Sequence, residues 1–174
     1  MTAASAVDDD MVLVLLSPAG VVTNPQALTR ASRRLAKLGF DVRIDDSARA
    51  RFRRFAGSDD VRLEALHRVA REAPSIAIST RGGYGLTRLL DRIDLKLLAK
   101  SIERGTRWVG HSDLTSLQMG LLARGPYVTW AGPLACDHFG RTAEEGGVDE
   151  LTQACFVEAM DGSLQAVGWR CGPG

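Results

Sequence analysis

The sequence predicts an α/β protein built on a three-layer, mostly parallel sheet, and three observations support that fold class. Short apolar runs alternate with segments whose apolar residues recur at helical spacing, which is typical of strands alternating with helices. The first run, 11–16, is apolar on both faces, as a strand buried inside a parallel sheet must be. Loops that contain glycine or proline follow the runs, and 174 residues are enough for one domain with a sizeable core.

The first β-α-β unit occupies residues 11–44. Asn24 and Pro25 predict the start of its helix, as the N-cap and the first helical residue, and Gly39 predicts its end. Residues 40–44 form a second strand, and parallel pairing of two strands requires a crossover of this kind between them.

The segment 45–57 is polar and rich in arginine, and it leaves two interpretations open. It is either a solvated loop or a binding segment near a functional site. A helix is predicted over 58–72, and residues 75–79 form a third strand. The predicted buried side of that helix consists of Val61, Leu66, Val69 and Ala70.

The second half of the chain continues the alternation. Residues 86–98 predict two short helices hinged near Asp91, and 106–109 a fourth strand. The helix after it has Leu114, Leu117 and Leu121 as its core stripe. A fifth strand is predicted over 127–131 and a helix over 149–161. Residues 137–147 have a loop-like composition, and 164–169 are a candidate for one more strand.

Composition and charge exclude several classes of function. Apolar residues make up 45% and charged residues 25% of the chain, and the formal net charge is +1. These values describe a globular protein whose overall charge would recruit neither nucleic acid nor a membrane surface. The three cysteines show no C-x-x-C spacing, so neither a disulfide framework nor a metal site is expected, and no cofactor is implied. No signal peptide or membrane span is recognisable, and we expect a cytoplasmic location.

Ser112 is the candidate nucleophile. It follows the fourth strand and Gly110 and precedes a helix, and such a sharp strand-to-helix turn exposes the serine hydroxyl. The G-x-S-x-G pattern is incomplete, because Leu114 stands where the second glycine would be. The alternative is a serine or aspartate that only caps the next helix.

The glycine-rich loop 81–85 follows the third strand and strengthens this interpretation. In a parallel α/β sheet the loops 17–20, 81–85 and 110–113 lie at the same edge, where ligands bind. The glycines of the loop 81–85 allow backbone N–H groups to approach an anion, so this loop could supply an oxyanion donor beside the amide of Asp113. A plain turn, or a phosphate cradle in a flavodoxin-like nucleotide binder, is the alternative, although no P-loop lysine is present.

No complete Ser-His-acid triad is recognisable. His111 adjoins Ser112, but neighbouring residues on a tight turn generally point apart. His67 lies in the middle of a predicted helix, and His138, after the fifth strand, could approach the same sheet edge.

The sequence Arg-Gly-Gly-Tyr-Gly at 81–85, followed by Gly-His-Ser-Asp-Leu-Thr at 110–115, resembles the signature pair of the LD-carboxypeptidases. These are serine peptidases of the muramoyltetrapeptide carboxypeptidase type, related to the microcin C self-immunity peptidases. The agreement extends in order to Ser-Pro-Ala-Gly at 17–20, Phe-Ala-Gly-Ser-Asp at 55–59 and Gly-Pro at 132–133.

The resemblance implies a flavodoxin-like or class I glutamine amidotransferase-like sheet. Residues 1–170 would form the N-terminal nucleophile domain, and 171–174 would begin the linker to a C-terminal domain that is absent here. Such enzymes remove a terminal D-amino acid, typically D-alanine, from a murein tetrapeptide during cell-wall recycling. The family also implies a homodimer.

Carried onto this sequence, the resemblance makes Ser112 the nucleophile and the amides of Gly83 and Asp113 the oxyanion donors. Arg81 and Tyr84, in the same loop, are expected to contact the peptide substrate. The family's glutamate and histidine come from the C-terminal domain, so no residue here takes those roles. The alternative is a catalytically incomplete peptide-binding fragment or a truncated homologue.

The sequence departs from the family pattern at two positions. His111 replaces a residue that is commonly aromatic, and Ala131 replaces the histidine of a His-Gly-Pro motif. Both departures put the choice of substrate in question more than the class of reaction.

Overall fold

The computed structural model describes residues 11–168 and contains a five-stranded sheet. The strands have the order β2-β1-β3-β4-β5, and every neighbouring pair is parallel. This order is the flavodoxin-type arrangement of an open, doubly wound sheet, and it confirms the predicted fold class. The strands are β1 (Val12–Leu16), β2 (Asp41–Ile44), β3 (Ile76–Ser79), β4 (Arg107–Gly110) and β5 (Trp130–Ala131).

Helices cover both faces of the sheet. The helices are α1 (Pro25–Lys37), α2 (Asp59–Glu72), α3 (Leu95–Glu103), α4 (Thr115–Leu122) and α5 (Glu150–Asp161). Short 3₁₀ turns lie at Asp46–Ala48 and Ser112–Leu114, and one π-helical turn at Ala135–Phe139. Asn24 caps α1 by accepting the N–H of Gln26, with Pro25 at the first helical position, as the sequence predicts.

Successive residues of the central strands point into two different cores. Leu13 and Leu15 of β1 pack with α1, the π-helical turn and α5 on one face. Val14 and Leu16 pack with α2, α3 and α4 on the other face. Since both faces are buried, β1 is apolar at every position, and the three-layer prediction is confirmed.

Several predicted elements have different bounds in the structure. Residues 86–93 form successive turns rather than a helix, with i→i+3 bonds such as that from the N–H of Leu89 to the carbonyl oxygen of Leu86 at 2.8 Å. The helix α3 begins only after Asp94, which caps it by accepting the N–H of Leu97 at 3.0 Å. β5 has only two residues, since the N–H of Tyr127 bonds to the carbonyl oxygen of Gly125 and not to a neighbouring strand. Residues 164–168 form no strand. Trp169, the end of that candidate strand, and the predicted domain boundary at 170 lie outside the described residues.

Candidate active site

The three loops at the carboxyl edge of the sheet contact one another. The order of the strands reverses between β1 and β3, and ligands of doubly wound sheets bind at this switch point. The N–H of Gly20, after β1, donates to the carbonyl oxygen of Gly82, after β3, at 3.2 Å. A Cβ atom at Gly82 would lie 2.8 Å from the hydroxyl oxygen of Ser112, after β4. The structure therefore brings together the three segments that the sequence analysis selected.

Ser112 is exposed and has a φ of 62°, in the left-handed region that non-glycine residues rarely adopt. This conformation costs roughly 1–2 kcal/mol for a residue with a Cβ atom. Gly110, with a φ of 149°, has a backbone conformation that residues with a side chain rarely adopt, and a Cβ atom there would lie 2.7 Å from the Cδ2 of Leu114 and 3.2 Å from the Cβ of Ser79. Backbone strain of this kind concentrates at functional sites, and here it presents the serine hydroxyl above the sheet edge.

Gly83 and Asp113, the predicted oxyanion donors, are the chain neighbours of the two residues that approach each other at the site. Gly83 follows Gly82, where an added Cβ atom would lie 2.8 Å from the Ser112 hydroxyl oxygen, and Asp113 directly follows Ser112. The φ of Gly83 is +110°, and a Cβ atom there would lie 3.1 Å from the Cα of Gly20. Only glycine fits this close backbone approach, which holds the loop against the first strand's loop.

The Asp113 side chain ties the serine turn to the end of the glycine loop. Its Oδ2 accepts the N–H of Leu86 at 2.9 Å. Burial raises the pKa of Asp113, although the hydrogen bond from Leu86 and the charge of Arg62 act in the opposite direction. The side chain is thus a structural link between the serine turn and the glycine loop.

Arg62 is completely buried and holds two of the site loops together. Its Nη1 donates to the carbonyl oxygens of Pro18 at 3.1 Å and Gly85 at 3.0 Å, and its Nη2 pairs with Asp59. Burial lowers the pKa of Arg62, and the hydrogen bond and charge of Asp59 oppose that shift.

The prediction that Val61 lies on the buried side of α2 is wrong. Val61 is 44% exposed, and its neighbour Arg62 points into the protein instead. The loop carbonyls at this end of the helix need hydrogen-bond donors, which valine cannot supply. Sequence reasoning missed Arg62, and the spacing of three residues from Asp59 to Arg62 was the one local signal for it.

Of the three histidines, His111 and His138 lie near the serine turn and His67 lies elsewhere, between α2 and α3. The ring Nδ1 of His111 lies 3.0 Å from the carbonyl oxygen of Gly132, so that nitrogen must carry the proton. The ring of His138 packs against His111 edge to face, with 5.5 Å between centroids. His67 accepts the N–H of Asp94 between α2 and α3. Among the described residues, no histidine is hydrogen-bonded to the Ser112 hydroxyl.

Gln118 joins the last two strands at their carboxyl ends. This buried residue of α4 donates from its Nε2 to the carbonyl oxygens of Gly110 and Trp130, both at 3.1 Å. Sequence analysis did not single it out. The bonds fix the position from which the chain turns toward Ser112.

Arg81 and Tyr84 occupy the rim of the glycine loop. The Nη1 of Arg81 donates to the carbonyl oxygen of Val21 at 3.0 Å, and the ring of Tyr84 is 74% exposed. Both side chains lie beside Gly82 and Gly83, within the same loop as the candidate oxyanion donor.

Within residues 11–168 no three His, Cys, Asp or Glu side chains are arranged to hold a metal ion. Over the same range, no helix has the length and apolar character that crossing a bilayer requires.

These features define a class of α/β domain that presents a strained serine on a strand-to-helix turn, opposite a glycine-rich loop. Residues 13–132 match the family model described as the LD-carboxypeptidase N-terminal domain. The chain belongs to the LD-carboxypeptidase family.

Two curated relatives support this membership. A probable murein peptide carboxypeptidase of Bacillus subtilis is 30% identical over 136 residues, which are 78% of this chain and 40% of the relative. A murein tetrapeptide carboxypeptidase of Pseudomonas aeruginosa is 33% identical over 128 residues, which are 69% of this chain and 40% of the relative. The match therefore spans about 40% of the length of these relatives.

Solved structures show the same fold. A muramoyltetrapeptide carboxypeptidase from Oxalobacter formigenes superposes with a TM-score of 0.74 and 33% identity, over 85% of this chain and 47% of that one. The microcin C7 self-immunity protein MccF has a TM-score of 0.78 over 90% of this chain and 46% of that one. Its identity is only 19%, so this likeness concerns the fold alone.

Proposed function

We propose that the chain supplies the nucleophile and the oxyanion hole of a serine-type LD-carboxypeptidase. The complete enzyme removes a terminal D-amino acid, typically D-alanine, from a murein tetrapeptide during cell-wall recycling. The left-handed conformation of Ser112 carries the proposal, because a residue that only capped a helix would have no need of it. The names of the two curated relatives support the choice of substrate.

In this mechanism the Ser112 hydroxyl oxygen attacks the carbonyl carbon of the scissile peptide bond. The amides of Gly83 and Asp113 donate hydrogen bonds to the oxyanion that develops, and removal of one such donor typically costs about 10²–10³ in kcat. Arg81 and Tyr84, at the rim of the loop, contact the peptide. When the tetrahedral intermediate collapses, the peptide C–N bond breaks, and the terminal amino acid leaves with the proton taken from the serine while the acyl-enzyme forms. Water then hydrolyses the acyl-enzyme, which releases the shortened peptide and returns a proton to the Ser112 oxygen.

We assign the base that accepts the serine proton to the second domain that the family resemblance implies, which supplies a glutamate and a histidine. The absence of a histidine hydrogen-bonded to Ser112 among residues 11–168 supports this assignment. It also favours a second candidate function, in which the chain by itself binds peptide without cleaving it. The cytoplasmic location and the homodimer stay predictions.

The test measures release of D-alanine from a murein tetrapeptide by the complete protein. Ser112→Ala should reduce turnover by several powers of ten (about 10⁶ in a comparable serine peptidase) and should leave peptide affinity nearly unchanged. Gly120→Ala in α4 is the matched control, because its added methyl group would make an ordinary 3.5 Å contact with Leu95. Normal turnover by Ser112→Ala would rule out the mechanism.

The second candidate is tested on the 174-residue chain alone. Binding of the tetrapeptide without release of D-alanine is the expected result, since an oxyanion hole without a base gives only weak residual catalysis. Efficient release by the isolated chain would disprove the assignment of the base to another domain, and His138 would then become the first residue to substitute.

A further inference from the structure

A groove of about 470 Å³ opens on the outer side of the glycine loop. No aspartate or glutamate among residues 11–168 lines this groove. Its walls include four arginines, which are Arg51, Arg53, Arg54 and Arg81. Its remaining walls include Gly83 and Tyr84. We name it the arginine groove. Converging like charges raise the local concentration of anions, so the groove is electrostatically suited to a negatively charged ligand.

A short hairpin carries two of these arginines in its turn, and Arg51 directly precedes it. Phe52 and Phe55 exchange two backbone hydrogen bonds, of 2.9 and 3.0 Å, around a two-residue turn formed by Arg53 and Arg54. Arg53 has a φ of 56°, where such turns normally require glycine or asparagine. Arg53 therefore holds a left-handed conformation that is unfavourable for a residue with a Cβ atom.

The hairpin is anchored to the loop after β1 by backbone bonds. The N–H of Val21 donates to the carbonyl oxygen of Arg54 at 3.0 Å, and the N–H of Ala56 donates to that of Ala19 at 3.1 Å. Of the two interpretations of segment 45–57, these contacts favour a part of the chain built against the site.

The four guanidinium groups have little that neutralises them. Arg54 lies 5.2 Å from the ring centroid of Phe55 and 5.7 Å from that of Tyr84, so it is held by two aromatic faces. The Nε of Arg81 is buried and has no hydrogen-bond partner. Within residues 11–168 none of the four forms a salt bridge, whereas six other arginines do. Such groups bind planar carboxylates well, through two parallel hydrogen bonds.

We propose that the arginine groove is the subsite that binds side-chain carboxylates of the peptide substrate. Gly82 contacts Ser112 and the next two residues, Gly83 and Tyr84, line the groove, so a peptide lying over the glycine loop reaches both. This inference rests on the proposed function for the identity of the ligand. It adds the preference for an acidic peptide.

Two peptides that differ only in charge test the proposal. One carries two side-chain carboxylates, and in the other both are amidated. Calorimetric titration uses the Ser112→Ala protein, so that neither peptide is cleaved. We expect the acidic peptide to bind about ten- to thirtyfold more tightly, as two exposed ion pairs near 1 kcal/mol each would give, and the preference should fall with added salt.

The double variant Arg51→Gln/Arg54→Gln should lose this preference and bind the amidated peptide as before. The matched control is Arg33→Gln/Arg124→Gln, which removes the same charge from two exposed positions that do not line the groove. Thermal unfolding of each variant verifies its fold. A preference that the control removes equally, or that survives in the groove variant, would overturn the proposal. Displacement of the acidic peptide by equimolar inorganic phosphate would assign the groove to phosphate groups and overturn the choice of carboxylates.

Turnover measurements on the complete protein separate this inference from the proposed function. The groove variant should raise KM for the acidic peptide and leave kcat unchanged, because it removes binding and not chemistry. If Ser112→Ala kept full activity while the groove variant lost the charge preference, only the proposed function would fail. If turnover required Ser112 and the groove variant kept its KM, only the groove assignment would fail.

Discussion

The substitution Gly82→Ala gives a direct test of how closely the glycine loop approaches the serine. The φ of Gly82 lies outside the left-handed region, so alanine fits its backbone, and only the space is missing. Its Cβ atom would lie 2.8 Å from the Oγ and 2.9 Å from the Cβ of Ser112. Ordinary contact begins near 3.4 Å, so the two residues must separate by about 0.6 Å.

We expect this separation to cost roughly 1–3 kcal/mol in the free energy of unfolding, as overpacking does in closely packed sites. Turnover should fall by about ten- to a hundredfold, because a displacement near 1 Å costs about 10² in rate. The assay is a double-mutant cycle in urea, with Ser112→Gly as the second change, since glycine removes both atoms that the new methyl group meets. In that background the cost of Gly82→Ala should nearly vanish. An equal cost in both backgrounds would show that the clash is not with Ser112.

Two further predictions concern ionisation. Because burial raises the pKa of Asp113, the folded state favours its protonated form, and stability is lost as pH rises through the ordinary aspartate range. The stability advantage of Asp113→Asn over the parent, measured by urea unfolding, should therefore grow from pH 3 to pH 7, and a shrinking advantage would contradict the pKa shift. Burial raises the pKa of Cys136 to about 12, so iodoacetamide at pH 8 should leave it unmodified in the folded protein and alkylate it in urea. Peptide mass mapping distinguishes it from the other cysteines, and rapid native alkylation would be the contrary result.

The sheet was predictable because its signals are local or follow from general topology. The apolar run of β1 requires burial on both faces, and the capped helix that begins after Asn24 is the crossover that parallel pairing of β1 with β2 needs. Parallel strands end at one edge, so the meeting of Gly20, Gly82 and Ser112 follows from the order of strands and loops.

The supports of the site were not predictable in the same way. An arginine in an amphipathic helix is normally expected at the surface. The burial of Arg62 depends on the carbonyls of Pro18 and Gly85, which are distant in sequence and accept its protons. The hairpin at Phe52 and Phe55 is also hidden from sequence reasoning. Its turn contains arginines where glycine would be the expected signal, and its position depends on bonds to another loop.

The side chain of Gln118 has a mechanical consequence. β5 is joined to β4 by only two paired residues, Val109 with Trp130 and Gly110 with Ala131. The Gln118 amide spans both strand ends, and His111 is bonded to Gly132 just beyond them. The turn that carries the serine is therefore coupled to an edge strand, which is also the shortest strand of the sheet. Because these bonds connect the serine turn to that edge, we expect the rigidity of the reactive group to depend on the rigidity of the edge.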